Sequence, residues 1–176
     1  MIKKTLSIRT STSQIEFDNE YQGKLPDVVI FAMVSDTDMS GGYQANPFHF
    51  QNFGANYLCT QANGEQIPRL AYQPNFTNRD YSRSYFGVLE ARGFDIGPNC
   101  WDLTPEELAN DYNVYAFKIT RGPIGTVRFA ARLCSARLEI KFSEQIPANI
   151  SVLLLSQHRA EIQIDMYLNI IPISLL

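Results

Sequence analysis

Histidine is almost absent from this chain: only His49 and His158 occur in 176 residues. A metal site at the mouth of a β sandwich draws on several histidines and acids at once, so a cupin-like metal enzyme is disfavoured by supply alone. His49 stands between two phenylalanines and reads as a loop-packing residue, and His158 follows an apolar run and reads as solvent-facing. Cysteine is scarce too. Cys59, Cys100 and Cys134 are odd in number and lack C-x-x-C spacing, which argues against a disulfide framework and a zinc site. They read as free thiols in a reducing compartment. Positive charge is not in excess: 15 Lys and Arg meet 18 Asp and Glu, a net charge of −3. No strong basic field is available to hold nucleic acid by its phosphates. Arg121, Arg128, Arg132 and Arg137 are a local basic series that a solvated strand face explains. No apolar run approaches the roughly 20 residues of a spanning helix. The longest is the tail, residues 167–176, which suggests a buried strand or a partner contact. The first nine residues carry Lys3, Lys4 and Arg9 but no apolar h-region, so no secretory signal is read there and an intracellular location is expected.

Catalytic groupings are equally thin. Ser82 and Ser84 have no adjacent His or Lys to activate them. Asp36, Asp38 and Ser40 lack the rest of a calcium loop and read as a solvated acidic segment. Asp95, Asp102, Glu106 and Glu107 supply carboxylates that glycoside chemistry would need, yet Glu106 and Glu107 fit a helix N-terminus better. Trp101 could stack a sugar, but a plug over a sheet edge explains it more simply. No enzyme, cofactor or metal is expected.

Aromatics are what the chain has in quantity: eleven Phe and nine Tyr, which suit a pleated, half-buried surface. Apolar patterning marks strands at residues 2–9, 14–21, 55–61, 66–72, 114–120, 150–156 and 161–165, and one long strand or two over 126–142, whose second half, 136–142, alternates strictly. Residues 27–34 are near-continuously apolar and β-branched, the mark of a strand buried on both faces. Asn63-Gly64 between two strand patterns is the strongest hairpin signal. A helix is expected over residues 79–92, where Tyr81, Tyr85, Val88 and Leu89 recur at helical spacing, with Gly93 to stop it. A second, short helix opens with Thr104 as N-cap and Pro105 in its first position. Residues 35–53 read as a long loop without secondary structure, punctuated by Asn46-Pro47 and docked by Phe48, Phe50 and Phe53. Helices this few cannot cover a parallel sheet. The expected fold is all-β: a single jelly-roll β sandwich of two antiparallel sheets, about eight strands, with one or two short helices in loops.

The motifs, taken in order, carry a resemblance. Leu25-Pro26-Asp27-Val28-Val29, the loop of residues 41–51 around Asn46-Pro47-Phe48, and Asn56-Tyr57-Leu58 are similar to segments of one family. So are Gly64-Glu65-Gln66-Ile67-Pro68, residues 70–76 with Gln73-Pro74, Tyr81-Ser82-Arg83-Ser84-Tyr85, and residues 111–120 and 138–165. The family is the double jelly-roll major capsid proteins of Polinton (Maverick) elements and adintoviruses, and the similar part is their second, C-terminal jelly roll. His49 replaces the Asn usual in the family's loop, residues 122–134 match poorly, and the tail beyond residue 165 matches nothing in it.

The resemblance implies a capsid-like domain over residues 1–165, an unassigned apolar tail over 166–176, and an upstream first jelly roll that this chain lacks, as in a truncated copy. It implies self-association into a trimeric capsomer, a place in a virion capsid, and no chemistry. Gly42, Asn46, Pro47, Phe48, Phe50, Asn63, Gly64, Pro68, Gln73 and Pro74 are then residues that shape loops. The alternative is a carbohydrate- or ligand-binding jelly roll of lectin type, since this architecture serves both roles.

Overall fold

The computed structural model describes residues 1–18, 25–62, 64–92, 103–119, 136–158, 163–164 and 170–171. Eight main strands follow the chain: β1 (Ile2–Ile8), β2 (Gln14–Phe17), β3 (Val28–Ser35), β4 (Ala55–Ala62), β5 (Glu65–Tyr72), β6 (Val114–Lys118), β7 (Ala136–Phe142) and β8 (Ile150–Gln157). Helix α1 (Asp36–Met39) follows β3, and α2 (Ser82–Arg92) and α3 (Pro105–Asn110) lie between β5 and β6. Two-residue strands β9 (Gln163–Ile164) and β10 (Ile170–Ile171) pair antiparallel with each other, one on each side of the boundary expected at residue 165.

The pairing scheme defines the fold. The first strand pairs with the eighth, the second with the seventh, the third with the sixth and the fourth with the fifth, all antiparallel. That is one long hairpin. Lateral pairing of β3 with β8 and of β4 with β7 then wraps it into two four-stranded sheets, ordered β1-β8-β3-β6 and β2-β7-β4-β5. The result is a jelly-roll sandwich, the fold class that the strand patterning implies.

Alternation decides which side chains enter the space between the sheets. Val29, Phe31 and Met33 of β3, Tyr115 and Phe117 of β6, and Val152 and Leu154 of β8 meet Leu58 of β4 and Leu138, Ile140 and Phe142 of β7. Burying each such side chain contributes about 1.5–3 kcal/mol. Three stacked ring contacts run through this layer: Phe31 on Tyr115 at 5.0 Å, Phe31 on Phe117 at 5.7 Å, and Tyr72 on Phe117 at 5.2 Å. As the sequence suggests, β3 is buried on both faces and β7 on one.

Helix α2 packs against β6, and its position depends on Gly87. A Cβ there would lie 2.1 Å from the Tyr72 hydroxyl oxygen and 2.6 Å from the ring carbon that carries it. That hydroxyl donates to the Ala116 carbonyl at 3.3 Å, so α2 rests on the side of the ring stack.

Several local expectations need correction. The segment after β3 is not free of structure, because Ser35 N-caps α1 by accepting from the Asp38 N–H. The helix expected from residue 79 begins at Ser82, since Arg79 has φ +56° and Asp80 is bridged to Asn75. Phe48 does not dock its loop: it is 68% exposed. His158 is half-buried rather than solvent-facing, with Nε2 at 3.0 Å from Ser156 Oγ. Tyr21, Asn63, Gly93, Asp95, Cys100, Trp101, Asp102, Arg121, Arg128, Arg132 and Cys134 lie outside the described residues.

Candidate functional site

Strand direction sorts the loop-shaping residues into two groups. Strand β4 runs from Ala55 to Ala62 and β5 returns beside it, with Leu58 opposite Tyr72. The Asn46-Pro47 loop and the Gln73-Pro74 bend therefore share one end of the sandwich, and Gly64 sits at the other. An eight-residue strand separates the ends by roughly 23 Å. Gly64 adopts φ +79° in the two-residue connection between the paired Ala62 and Glu65, a conformation that glycine tolerates. Pro68 follows a cis peptide bond inside a register shift of β5 against β4, and the Gln66 side chain donates to its carbonyl.

At the first end the loop is ordered by its own turn chemistry. Asn46 Oδ1 accepts from the Phe48 N–H at 3.0 Å, and the Asn46 carbonyl accepts from the His49 N–H at 3.0 Å, closing a turn around Pro47. Gly42 contributes a carbonyl to the Ala45 N–H at 2.9 Å. The loop is then stitched to the sandwich. The Gln51 N–H donates to the Met33 carbonyl at 3.0 Å, and Phe50 exchanges backbone bonds with the segment before β6, through Asp111 and Asn113. His49 Nδ1 meets Gln51 Nε2 at 3.1 Å. Phe48, Phe50 and Tyr112 bring aromatic surface to this end, with Phe48 set edge-on to Phe50.

Between the Gln73-Pro74 bend and α3 lies a crevice of about 220 Å³. Asn52, Phe76, Arg79, Tyr81, Glu106 and Asn110 face it. The Thr104 capping box fixes α3: Glu107 accepts from the Thr104 N–H at 2.8 Å while Thr104 Oγ1 accepts from the Glu107 N–H at 3.3 Å. The bonds donated to it by the Thr104 N–H and hydroxyl hold the Glu107 carboxyl below its usual range. Glu106, one residue earlier, is turned instead toward Arg79 across the crevice, at 3.9 Å. The pair of acids that reads in sequence as one helix-end feature thus splits into a cap and a crevice wall.

The outward faces of the two sheets differ in kind. On the β1-β8-β3-β6 sheet the positions alternate with the core members, which places Ile30 and Ala32, Leu153 and Leu155, and Val114 and Ala116 outward. The pairing aligns them in rows: Thr5, Leu153, Ala32, Val114 in one, and Lys3, Leu155, Ile30, Ala116 in the next. Ile30, Leu153, Leu155 and Val114 are half-buried, and Ala32 and Ala116 beside them are buried.

The outward face of the other sheet is polar. Arg137 bridges Glu16 at 3.0 Å and also Asp18, and Lys141 meets Glu139 at 3.0 Å and lies over the Tyr57 ring. The Cys59 thiol lies 3.7 Å from the Tyr57 hydroxyl oxygen and 3.6 Å from Glu139 Oε2. Burial pushes this thiol above its ordinary pKa, so it is not a thiolate nucleophile at neutral pH.

Comparison with protein-family models, with curated proteins and with solved structures finds no match to this chain. Among the described residues no group of three or more His, Cys, Asp or Glu side chains could hold a metal ion. No helix among them is long and apolar enough to cross a membrane. Asp36 and Asp38 do not converge on a cation: Asp36 Oδ1 accepts from Ser151 Oγ at 2.6 Å and thereby ties α1 to β8. Sequence reasoning did not find the crevice, because it assembles from Asn52, residues 76–81 and α3, which are brought together only by the roll.

Proposed function

We propose that this chain is a structural jelly-roll unit of the double jelly-roll capsid type, which associates with copies of itself. The observation that carries the reading is the inequality of the two outward faces. Leu153, Leu155, Ile30 and Val114 make a partly exposed aliphatic surface on one sheet, and the other sheet is dressed with ion pairs. A sandwich with one aliphatic flank suits stacking of slabs, because contiguous apolar surface is stabilised by being covered. The ordered motif resemblance supplies the expected assembly, a trimeric capsomer within a virion, with an upstream sister jelly roll as the second partner.

Sedimentation velocity over a concentration series tests this reading. The chain is expected to form concentration-dependent oligomers. Ile30→Glu combined with Leu155→Glu should shift it toward the monomer, since a charge buried at a contact without a partner is costly. A parent chain that stays monomeric throughout the series overturns the reading.

A further inference from the structure

We propose that the crevice between the 75–80 loop and α3 binds a neutral sugar ring, with Phe76 and Tyr81 as its apolar wall and Arg79, Glu106 and Asn110 as its hydrogen-bonding wall. This goes beyond the assembly role and does not depend on it. Size is the first argument. A volume of about 220 Å³ falls below the roughly 300 Å³ at which drug-sized pockets begin and suits a ligand of one ring.

Charge is the second. Arg79 and Glu106 face each other at 3.9 Å with both side chains largely exposed, so the crevice carries no net field for an anion or a cation. An exposed pair of this kind is weakly held and opens at little cost. Once open, it offers a guanidinium donor and a carboxylate acceptor to a ligand whose hydroxyls both donate and accept. Asn110 adds an amide with both functions. The third argument is the aromatic wall. The Phe76 and Tyr81 rings stack on each other at 6.0 Å with 22° between planes, and both line the crevice, so one wall is aromatic and can meet the C–H groups of a ring. An aromatic wall opposite paired, mutually neutralised polar groups suits a polyhydroxylated ligand better than a phosphate, a metal or a hydrocarbon.

The geometry is also preorganised, which reduces the ordering cost of binding. The loop carrying Phe76 and Arg79 is closed by reciprocal backbone hydrogen bonds between Asn75 and Asp80, at 2.8 and 2.9 Å. Asn75 Oδ1 accepts from the Asn78 N–H at 3.0 Å. On the far side, the Thr104 capping box fixes the backbone of α3, from which Glu106 projects. Asn52 closes the floor, its amide donating to the Ala109 carbonyl at 3.5 Å.

The test is saturation-transfer NMR on the full chain with D-glucose, D-galactose, D-mannose and N-acetyl-D-glucosamine, and with inorganic phosphate as the anionic probe. At least one sugar is expected to bind in the millimolar range, strongest at its ring C–H protons. Tyr81→Ala should abolish the transfer. Because Tyr81 is half-buried and its loss can disturb the fold, Glu106→Ala and Asn110→Leu, both on the exposed side of α3, are the decisive variants. Each should weaken binding about tenfold, the loss expected of one hydrogen bond to a charged or amide group, with an unchanged melting temperature. Three results overturn the proposal: no sugar binds the parent chain, phosphate binds in place of the sugars, or both α3 variants melt normally and bind as the parent does.

Discussion

Gly87 occupies the middle of α2, where alanine is the better helix former by about 1 kcal/mol. Its contact with Tyr72 reverses that preference. The Tyr72 ring is stacked on Phe117 and its hydroxyl is bonded to Ala116, so it cannot swing away from an added methyl group. Gly87→Ala should therefore lower stability by about 1–2 kcal/mol, read as a fall in the urea midpoint; a raised midpoint would show that the ring moves aside. The same tyrosine governs behaviour in alkali. Burial pushes the Tyr72 hydroxyl up to about 12, and hydrogen bonding with Cys59 does the same for Tyr57. Tyr115, fully enclosed beside Asn113, is raised further by its burial. A raised acid pKa means that the unfolded chain loses its proton first. Stability is thus complete below pH 10 and falls as pH rises toward 12. Equilibrium unfolding at pH 8 and pH 11 should show this loss, and Tyr72→Phe should reduce it; a flat profile from pH 8 to 11 would contradict the assignment. The sequence announced neither effect, because nothing in the spacing of Tyr72 and Gly87 says that they touch.

Helix α3 was the element most fully legible in advance. Thr104, Pro105 and the two acids form a local code that works through four consecutive residues, and the capping box appears where that code places it. Thr104→Ala should cost about 1 kcal/mol and Thr104→Ser far less, measured by thermal melting. Equal melting temperatures for the two variants would mean that α3 is held by Leu108 and Ala109 in the interior rather than by its cap. The turn at Asn46-Pro47 was legible for the same reason, since an Asn side chain bonds its own backbone two residues on. The exposure of Phe48 is not legible in the sequence, because an aromatic in a loop carries no label for its direction. Its neighbours Phe50 and Phe53 are partly buried, yet Phe48 stays in solvent. The start of α2 is set just upstream, by the closing of residues 75–80 into a separate small loop that no helical spacing reveals.

Across the whole molecule, the pairings that define the roll are remote in sequence. Ile2 pairs with Ser156, and Gln14 with Lys141. Closing such long loops before any contact is gained slows folding, so refolding from urea should occur in milliseconds to seconds rather than microseconds. Stopped-flow fluorescence checks this; a microsecond phase carrying the full amplitude would show that the remote pairings do not limit the rate. The crevice and the aliphatic outward face are also products of remote pairing. Leu153 and Ala32 stand side by side only because β8 inserts between β1 and β3.

By itself the sequence determined what acts over a few residues: the strand periods, the β character of the fold, the α3 cap and the Asn46 turn. Those follow from backbone geometry and from side chains that bond their own neighbours. The tertiary structure alone decided which outward rows are aliphatic, that Gly87 must lack a Cβ, and that Glu106 faces Arg79. Each of these depends on strands and loops meeting across tens of residues, where the gain from burial and pairing outweighs any local preference.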